Sequence, residues 1–496
     1  MYKAPRGTAD ILPRDQARWS YIRHQASALC RLYGYERIDT PVFEESGLFE
    51  RTIGQGTDIV EKEVYTFEDR GGNSMTLRPE GTAPVCRAYL ENGLFNQPQP
   101  VKLYYFYSIY RYERPQKGRY REHQQFGCEA LGEADPALDA EVIDMAWQYF
   151  QTLGLKDLDL YLNSIGCRTC RPSYLSELKA YYGGRKDQLC SDCVSRLEKN
   201  PLRLLDCKKP GCQAAAEGAP RSTDHLCPEC KSHFDSLKGY LKLMGLPYEL
   251  NHRLVRGLDY YTGWLNYLCS DCASRLDRNP LRLLDCKKTG CQNAAEGAPR
   301  STDHLCPECL NHFGRLKGYL KLMGLPYELN HRLVRGLDYY TKTVFEIQPR
   351  VEGAQSTLLG GGRYDDLIEE LGGKPTPAIG FATGLERIVL NLQRQDIAIP
   401  ALPQPQVFLA YIGDRAKDEV VGLAARLRRD GIGVMTALGG KSLKAQLRQA
   451  DKLKLSQAAI IGDDELVSGT IALRDMATGK EEKVAREGLA ERLKGD

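Results

Sequence analysis

Apolar residues recur at helical spacing between Arg14 and Leu32, at Ala17, Tyr21, Ile22, Ala26 and Leu29, with Tyr33 just beyond. Pro13 stands before this run and Gly34 after it, where helices start and stop. A short strand is expected over Glu36–Thr40, ending at Pro41. Val64–Glu68 and Ser74–Arg78 alternate as a hairpin across the turn-forming Asp69-Arg-Gly-Gly-Asn73. Helices are expected at Glu80–Leu90 and Asp139–Leu153, and strands at Lys102–Arg111 and Gln124–Leu131. Strands grouped with helices to one side predict an α+β domain around an antiparallel sheet.

The pattern changes between Cys167 and Cys309, where cysteine pairs, Gly and Pro dominate, and then resumes. Thr343–Ile347 reads as a strand, Gly360-Gly-Gly362 as a turn, Ala378–Ala382 as a strand and Leu385–Gln393 as a helix. Three prolines in Ala398-Ile-Pro-Ala-Leu-Pro-Gln-Pro405 mark a linker. Beyond it strands and helices alternate: Val407–Ile412, Lys417–Arg429, Gly433–Thr436, Ser442–Lys452, Ala458–Ile461 and Thr470–Asp475. That order predicts a small α/β domain with a mostly parallel sheet.

The interruption contains a repeat. Leu189–Thr262 aligns with Leu268–Thr341 at a constant offset of 79 residues, with 65 of 74 positions identical. Both copies end in Leu-Val-Arg-Gly-Leu-Asp-Tyr-Tyr-Thr, at Leu254–Thr262 and Leu333–Thr341. Two copies are too few for a solenoid, so this is a tandem duplication inside another fold. Only the second copy leads into Lys342–Ile347 and the strands after it, so the second is expected to join the sheet.

Composition narrows the picture without choosing a function. With 496 residues, 42% of them hydrophobic and 27% charged, the chain is that of an ordinary globular protein of about three domains. A net charge of +3 neither requires nor excludes a nucleic-acid partner. The first residues carry no apolar signal core and no stretch is long enough to span a membrane, so the expected compartment is the cytoplasm. Thiols stay reduced there, which leaves seventeen cysteines to explain without disulfides.

The local chemistry centres on a basic loop. Arg111-Tyr-Glu-Arg-Pro-Gln-Lys-Gly-Arg-Tyr-Arg121 sets five cations and one carboxylate between two strands. Guanidinium groups grip phosphate bidentately, so the loop suits a nucleoside triphosphate or a nucleic-acid end; standing alone, it would read rather as a solvated hairpin tip. A phosphate-binding glycine loop is missing. Gly439-Gly-Lys-Ser442 looks like the end of one, but Met435 occupies its first glycine position.

Taken together, these stretches resemble the class II aminoacyl-tRNA synthetases, and among them the histidyl-tRNA synthetase family. Gly34–Pro41 is similar to the first class motif, Tyr110-Arg-Tyr-Glu113 with the loop to Glu129 to the second, and Gly380-Phe-Ala-Thr-Gly-Leu-Glu-Arg387 to the third. Leu333–Tyr340 and Gly361-Gly-Arg-Tyr-Asp365 resemble two stretches peculiar to the histidine enzymes. The resemblance implies ATP-dependent joining of L-histidine to its tRNA by a homodimer, through a histidyl-adenylate, with Mg²⁺ arriving on ATP. It implies an ATP site of Arg111, Glu113, Arg119 and Arg387, and a histidine site of Glu80, Gly81, Thr82, Gln125, Glu129, Arg335, Tyr339 and Tyr340. Arg111 and Arg335 would be catalytic. His123 stands where the family usually has an aromatic residue.

The same resemblance divides the chain. Residues 1–165 and 332–397 are expected to form the catalytic domain and residues 166–252 a cysteine-rich module. Residues 253–331 would be its duplicate, 398–405 a linker and 406–496 an anticodon-binding domain. The last domain's own charges are mixed, 16 Lys/Arg against 14 Asp/Glu from Val407 to Asp496, so no basic stripe announces RNA. Cys167/Cys170, Cys190/Cys193, Cys207/Cys212 and Cys227/Cys230 have the spacing of structural zinc knuckles, although reduced unliganded thiols fit too. Cys167 and Cys170 adjoin the first copy in sequence and are expected to pair with its front. The second copy repeats only Cys269/Cys272, Cys286/Cys291 and Cys306/Cys309, so one of seven pairs is left over or is completed by a histidine such as His225 or His304. Cys30, Cys86 and Cys128 are isolated and expected to be packing residues. Two other readings stay open: a non-catalytic relative such as the regulatory subunit of ATP phosphoribosyltransferase, and a product inactivated by the duplication.

Overall fold

The computed structural model describes residues 2–53, 64–112, 120–184, 204, 210–216, 219, 226–227, 234–235, 237–238, 248–251, 302, 304–330, 339–350, 357–437 and 439–494. The chain divides into two compact units, Met1–Ile399 and Pro400–Asp496. Among the described residues no helix is long and apolar enough to cross a membrane.

In chain order the first unit's strands are β1 (Glu36–Arg37), β2 (Phe43–Glu45), β3 (Tyr65–Glu68), β4 (Ser74–Leu77), β5 (Val101–Tyr110), β6 (Glu122–Leu131) and β7 (Leu158–Ser164). They continue as β8 (Leu226–Cys227), β9 (Tyr248–Asn251), β10 (His304–Leu305), β11 (Glu328–Asn330), β12 (Thr341–Pro349), β13 (Leu359–Arg363) and β14 (Ala378–Gly384). The main sheet runs β1-β5-β6-β14-β13-β12-β7-β11-β9. Its middle, from β5 to β7, is antiparallel throughout, and β1, β11 and β9 add parallel edges. This is the antiparallel α+β sheet expected from the sequence. The hairpin across Asp69–Asn73 also forms, as β3 and β4.

Side-chain alternation gives the sheet two different faces. Tyr104, Phe106, Phe126, Cys128 and Ala130 point into a core completed by the helices Gln16–Leu32, Pro136–Thr152, Pro307–Leu322 and Leu385–Arg394. The neighbours Leu103, Tyr105, Tyr107 and Ile109 point the other way, to the helix Thr82–Glu91, Tyr339, Tyr340 and Tyr364. That second face carries the polar residues discussed below. Cys30, Cys86 and Cys128 are buried packing residues, Cys30 and Cys128 with sulfurs 3.8 Å apart.

Two expectations change. Gly360-Gly-Gly362 is not a turn but the centre of β13, bonded on both sides to β12 and β14. A Cβ on Gly361 would fall 2.4 Å from the Phe345 ring and 2.5 Å from the Gly380 carbonyl oxygen, so these glycines permit close backbone approach. The second unit's sheet is mixed rather than mostly parallel. Its strand β15 (Val407–Tyr411) runs parallel to β16 (Val434–Thr436) and β17 (Gln457–Ile461), but β18 (Thr470–Asp475) and β19 (Glu481–Ala485) are antiparallel additions. The turn between them has Gly479 at φ +72, with Asp475 accepting from the Thr478 N–H at 2.6 Å. The short period of that hairpin, in a polar stretch, hid β19 from the hydrophobic pattern.

Candidate active site

Glu129 lies at the centre of the second face, on β6, and is 1% exposed. It accepts hydrogen bonds from Thr82 Oγ1 at 2.8 Å, Tyr105 OH at 3.2 Å and Tyr364 OH. Burial raises its carboxyl to about 8; the Tyr364 and Thr82 hydroxyls pull the other way, and Glu80 adds to the rise. The fit is tight. On the paired strand, a Cβ at Gly380 would fall 1.8 Å from Glu129 Oε2, and Gly127 and Gly81 leave room for the Tyr105 ring.

Glu80 precedes the helix Thr82–Glu91 and accepts from the backbone N–H groups of Thr82 at 2.6 Å and Ala83 at 2.8 Å. The helix start therefore orients Glu80, and burial raises its carboxyl against those bonds. Tyr339 OH lies beside Thr82, buried and without a hydrogen bond of good geometry. Gln125 Oε1 is likewise buried with no partner among the described residues. These are polar atoms prepared for a ligand, because a buried acceptor left unmade costs about 1–3 kcal/mol. The Tyr339 ring lies 4.8 Å from Tyr340 and 5.8 Å from Tyr364. Tyr340 is buried, and its carbonyl accepts from the Arg171 guanidinium.

A cationic region adjoins this pocket along β6. Arg111 is 4% exposed and is held by a 2.7 Å bond from Nε to the Pro79 carbonyl. Arg387 donates to the Thr357 carbonyl at 2.7 Å. Burial pushes His123 well below the usual imidazole range, and the charges of Arg111 and Arg387 add to the effect. His123 is therefore neutral and close to both arginines. Glu386 accepts from the Gln124 N–H at 2.7 Å, and burial lifts its carboxyl to about 7.

The sequence-derived residues Glu80, Gly81, Thr82, Gln125, Glu129, Tyr339 and Tyr340 thus lie on one face, and Arg111 with Arg387 around His123. Glu113, Arg119 and Arg335 lie outside the described residues. So do Cys190, Cys193, Cys207 and Cys230, and the side chain of Cys227. Cys212 is buried. Among the described residues, the cysteines that meet Cys167 and Cys170 are Cys306 and Cys309, with all four sulfurs within 4.8 Å of one another. They belong to the second copy of the repeat; the cysteines expected at the front of the first copy lie outside the described residues.

Sequence reasoning did not single out Tyr105 or Tyr364 as partners of Glu129. Tyr364 sat inside the noted Gly361–Asp365 stretch, while Tyr105 was one aromatic among several in β5. It also left the role of Arg363 open. This guanidinium is fully buried, 2.5 Å from Asp139 and 3.1 Å from Asp365, and donates to the Glu133 and Asp135 carbonyls. Desolvation alone would lower it, but the two carboxylates hold it above its usual range. Arg363 therefore braces the sheet from behind the pocket.

The histidyl-tRNA synthetase family model matches residues 7–168 and 287–388, and the anticodon binding domain model matches residues 406–496. A histidine–tRNA ligase of Dehalococcoides mccartyi is 53% identical over 476 residues, covering 96% of this chain and 95% of that protein. One from Pelotomaculum thermopropionicum is 44% identical over 490 residues, covering 99% and 97%. The crystal structure of apo histidyl-tRNA synthetase from S. aureus has a TM-score of 0.71 at 33% identity and covers 100% of both chains.

Proposed function

The chain belongs to the histidyl-tRNA synthetase family, and from that premise we propose how its residues divide the work. The enzyme ligates histidine to its tRNA using ATP. The histidine carboxylate attacks the α-phosphorus and displaces pyrophosphate, and a tRNA hydroxyl then displaces AMP from the adenylate. No protein nucleophile is needed, so catalysis is positioning and charge stabilisation.

The buried carboxyl of Glu129, ringed by hydroxyls, is the observation that carries the substrate assignment. An imidazole buried there needs a partner for each nitrogen, and Glu129 with Tyr339 and Tyr340 supplies them. Glu80, Thr82 and Gln125 would take the α-ammonium, and Gly81 would let it approach. Arg111 grips the α-phosphate and Arg387 the far end of ATP, with Glu113 and Arg119 completing the nucleotide site. Arg335 neutralises charge where carboxylate meets phosphate. Mg²⁺ would arrive with ATP and would lower the phosphate charge that Arg111 and Arg387 must meet.

The catalytic domain then comprises residues 1–165 and 332–397, split by the modules at 166–252 and 253–331. After the linker 398–405, the domain at 406–496 would bind the anticodon. The same reading includes a homodimer through Gly34–Pro41, a cytoplasmic location and structural zinc on the cysteine pairs. A non-catalytic relative is disfavoured because Arg111 and Arg387 stand around the pocket and the carboxy-terminal domain is present. The test is ATP–pyrophosphate exchange by the purified protein. Exchange that depends on histidine, and not on the other amino acids, is expected. A folded protein that binds ATP without exchange would overturn the site assignment.

A further inference from the structure

We propose that Cys167, Cys170, Cys306 and Cys309 form one tetrathiolate zinc site that fastens the second copy of the repeat, and not the first, beside the histidine pocket. The inference rests on the reading that the cysteine pairs bind zinc, and it names the site. Cys167 Sγ is 3.6 Å from Cys170 Sγ and 3.4 Å from Cys306 Sγ. A disulfide needs about 2.05 Å, so neither contact is one. Four sulfurs at about 2.3 Å from a tetrahedral zinc stand about 3.8 Å apart, close to the spacing seen. Three of the four cysteines are buried and the fourth is partly covered, the closed form of a structural site rather than the open form of a catalytic one.

The backbone around the sulfurs is already arranged. The Cys167 N–H donates to Cys170 Sγ at 3.0 Å, and the Cys309 N–H to Cys306 Sγ at 3.5 Å. Such bonds stabilise a thiolate from outside the coordination sphere. Gly166 has φ +71, and a Cβ there would fall 2.6 Å from Cys170 Sγ, so the first knuckle requires glycine. Cys306 caps the helix Pro307–Leu322, whose amino end favours negative charge.

The site's position gives it a consequence. The Ile165 N–H donates to the Lys342 carbonyl at 2.8 Å, and the Lys342 N–H to the Gly166 carbonyl at 2.9 Å. Arg171, next to Cys170, donates to the Tyr340 carbonyl. The knuckle is therefore bonded to the start of β12, immediately after Tyr339 and Tyr340. The zinc would hold the segment that carries those tyrosines. Cys227 and Cys230, the first copy's counterparts at the 79-residue offset, become the spare pair.

Full-length protein purified with a thiol reductant should contain zinc whose X-ray absorption spectrum shows four sulfur ligands. On treatment with iodoacetamide, peptide mass spectrometry should find Cys167, Cys170, Cys306 and Cys309 protected until a chelator is added, and Cys227 and Cys230 labelled before it. This comparison needs no variant to fold. Cys306→Ser/Cys309→Ser should lose one zinc per chain and raise the KM for histidine about tenfold with the KM for ATP unchanged, as loss of a supporting metal does. Cys227→Ser/Cys230→Ser should keep that zinc. Chelator-dependent protection of Cys227 and Cys230 instead, or a full zinc complement in the Cys306/Cys309 variant, would overturn this site while leaving zinc binding intact. Absence of sulfur-bound zinc from the reduced wild type would overturn both.

Discussion

Glu129 is a carboxyl that the fold keeps protonated near neutrality, and this can be measured in two ways. Its folded value of about 8 lies above the ordinary 4.5. The unfolded chain therefore releases this proton first, and the contribution to stability is full below about 4.5 and is lost as pH rises to about 8. Glu129→Gln removes that titration. Urea unfolding from pH 5 to 8 should show a flatter pH dependence in the variant than in the wild type, and parallel curves would disprove the buried-proton account. The same substitution should lower kcat/KM for histidine by about a hundredfold or more, because a site built around a specific hydrogen-bonding group discriminates strongly against its loss. At the arginines, Arg335→Ala should cost about 10²–10³ in the exchange rate, the usual price of one charge-stabilising donor, while replacing its equivalent in the first copy's Leu254–Thr262, Arg256→Ala, should cost nothing. The opposite ranking would reassign the catalytic copy. Glu129 and Tyr339 were legible only through the order of the motifs around them. Tyr105 was not, since nothing local separates a tyrosine that reaches a carboxylate from the Tyr104 next to it on the other face.

Helices were easier to read than glycines. Pro13 and Gly34 bracket the first helix, and its observed span, Gln16–Leu32, agrees within two residues of the pattern. Glycine has no comparable signature, because the same residue serves a turn and a crowded sheet. Gly360–Gly362 looked like a turn and proved to be strand, since what they meet comes from β12 and β14, distant in sequence. Gly380 is the sharpest case. A Cβ there would fall 2.5 Å from the Cys128 carbonyl as well as 1.8 Å from Glu129 Oε2, and the backbone cannot yield as a flexible side chain can. Gly380→Ala should therefore destabilise the first unit by about 1–3 kcal/mol, read as a lower thermal midpoint, and should weaken histidine binding by displacing Glu129. Gly47→Ala, exposed on the helix Ser46–Ile53 with nothing within 4 Å, is the matched control and should be neutral or slightly stabilising. Equal effects at the two positions would refute the steric argument.

At the scale of the whole molecule the question is whether the extra copy is needed. The family model ends at residue 168 and resumes at 287, inside the second copy, so the duplicated segment lies between matched halves. β9 and β11 carry the same Glu-Leu-Asn letters, and both lie beyond β7, but only β11 continues through the second copy towards β12. Deleting residues 189–267 removes β8 and β9, leaves β11 on β7, and joins Gln188 to a Leu-Cys-Ser-Asp-Cys run identical to the one it already precedes. The cysteine pairs then become even: Cys167/Cys170, Cys269/Cys272, Cys286/Cys291 and Cys306/Cys309, enough to close two four-sulfur sites without a remainder. Roughly halving the insertion also lowers its closure entropy by about 0.6 kcal/mol, a small gain in the direction of stability. The shortened protein should fold, exchange pyrophosphate at the full-length rate and retain the zinc on Cys306 and Cys309. If it folds but loses exchange, the first copy supplies something to the pocket. The duplication would then be part of the enzyme's mechanism, and the assignment of Arg335 over Arg256 would have to be reversed or shared.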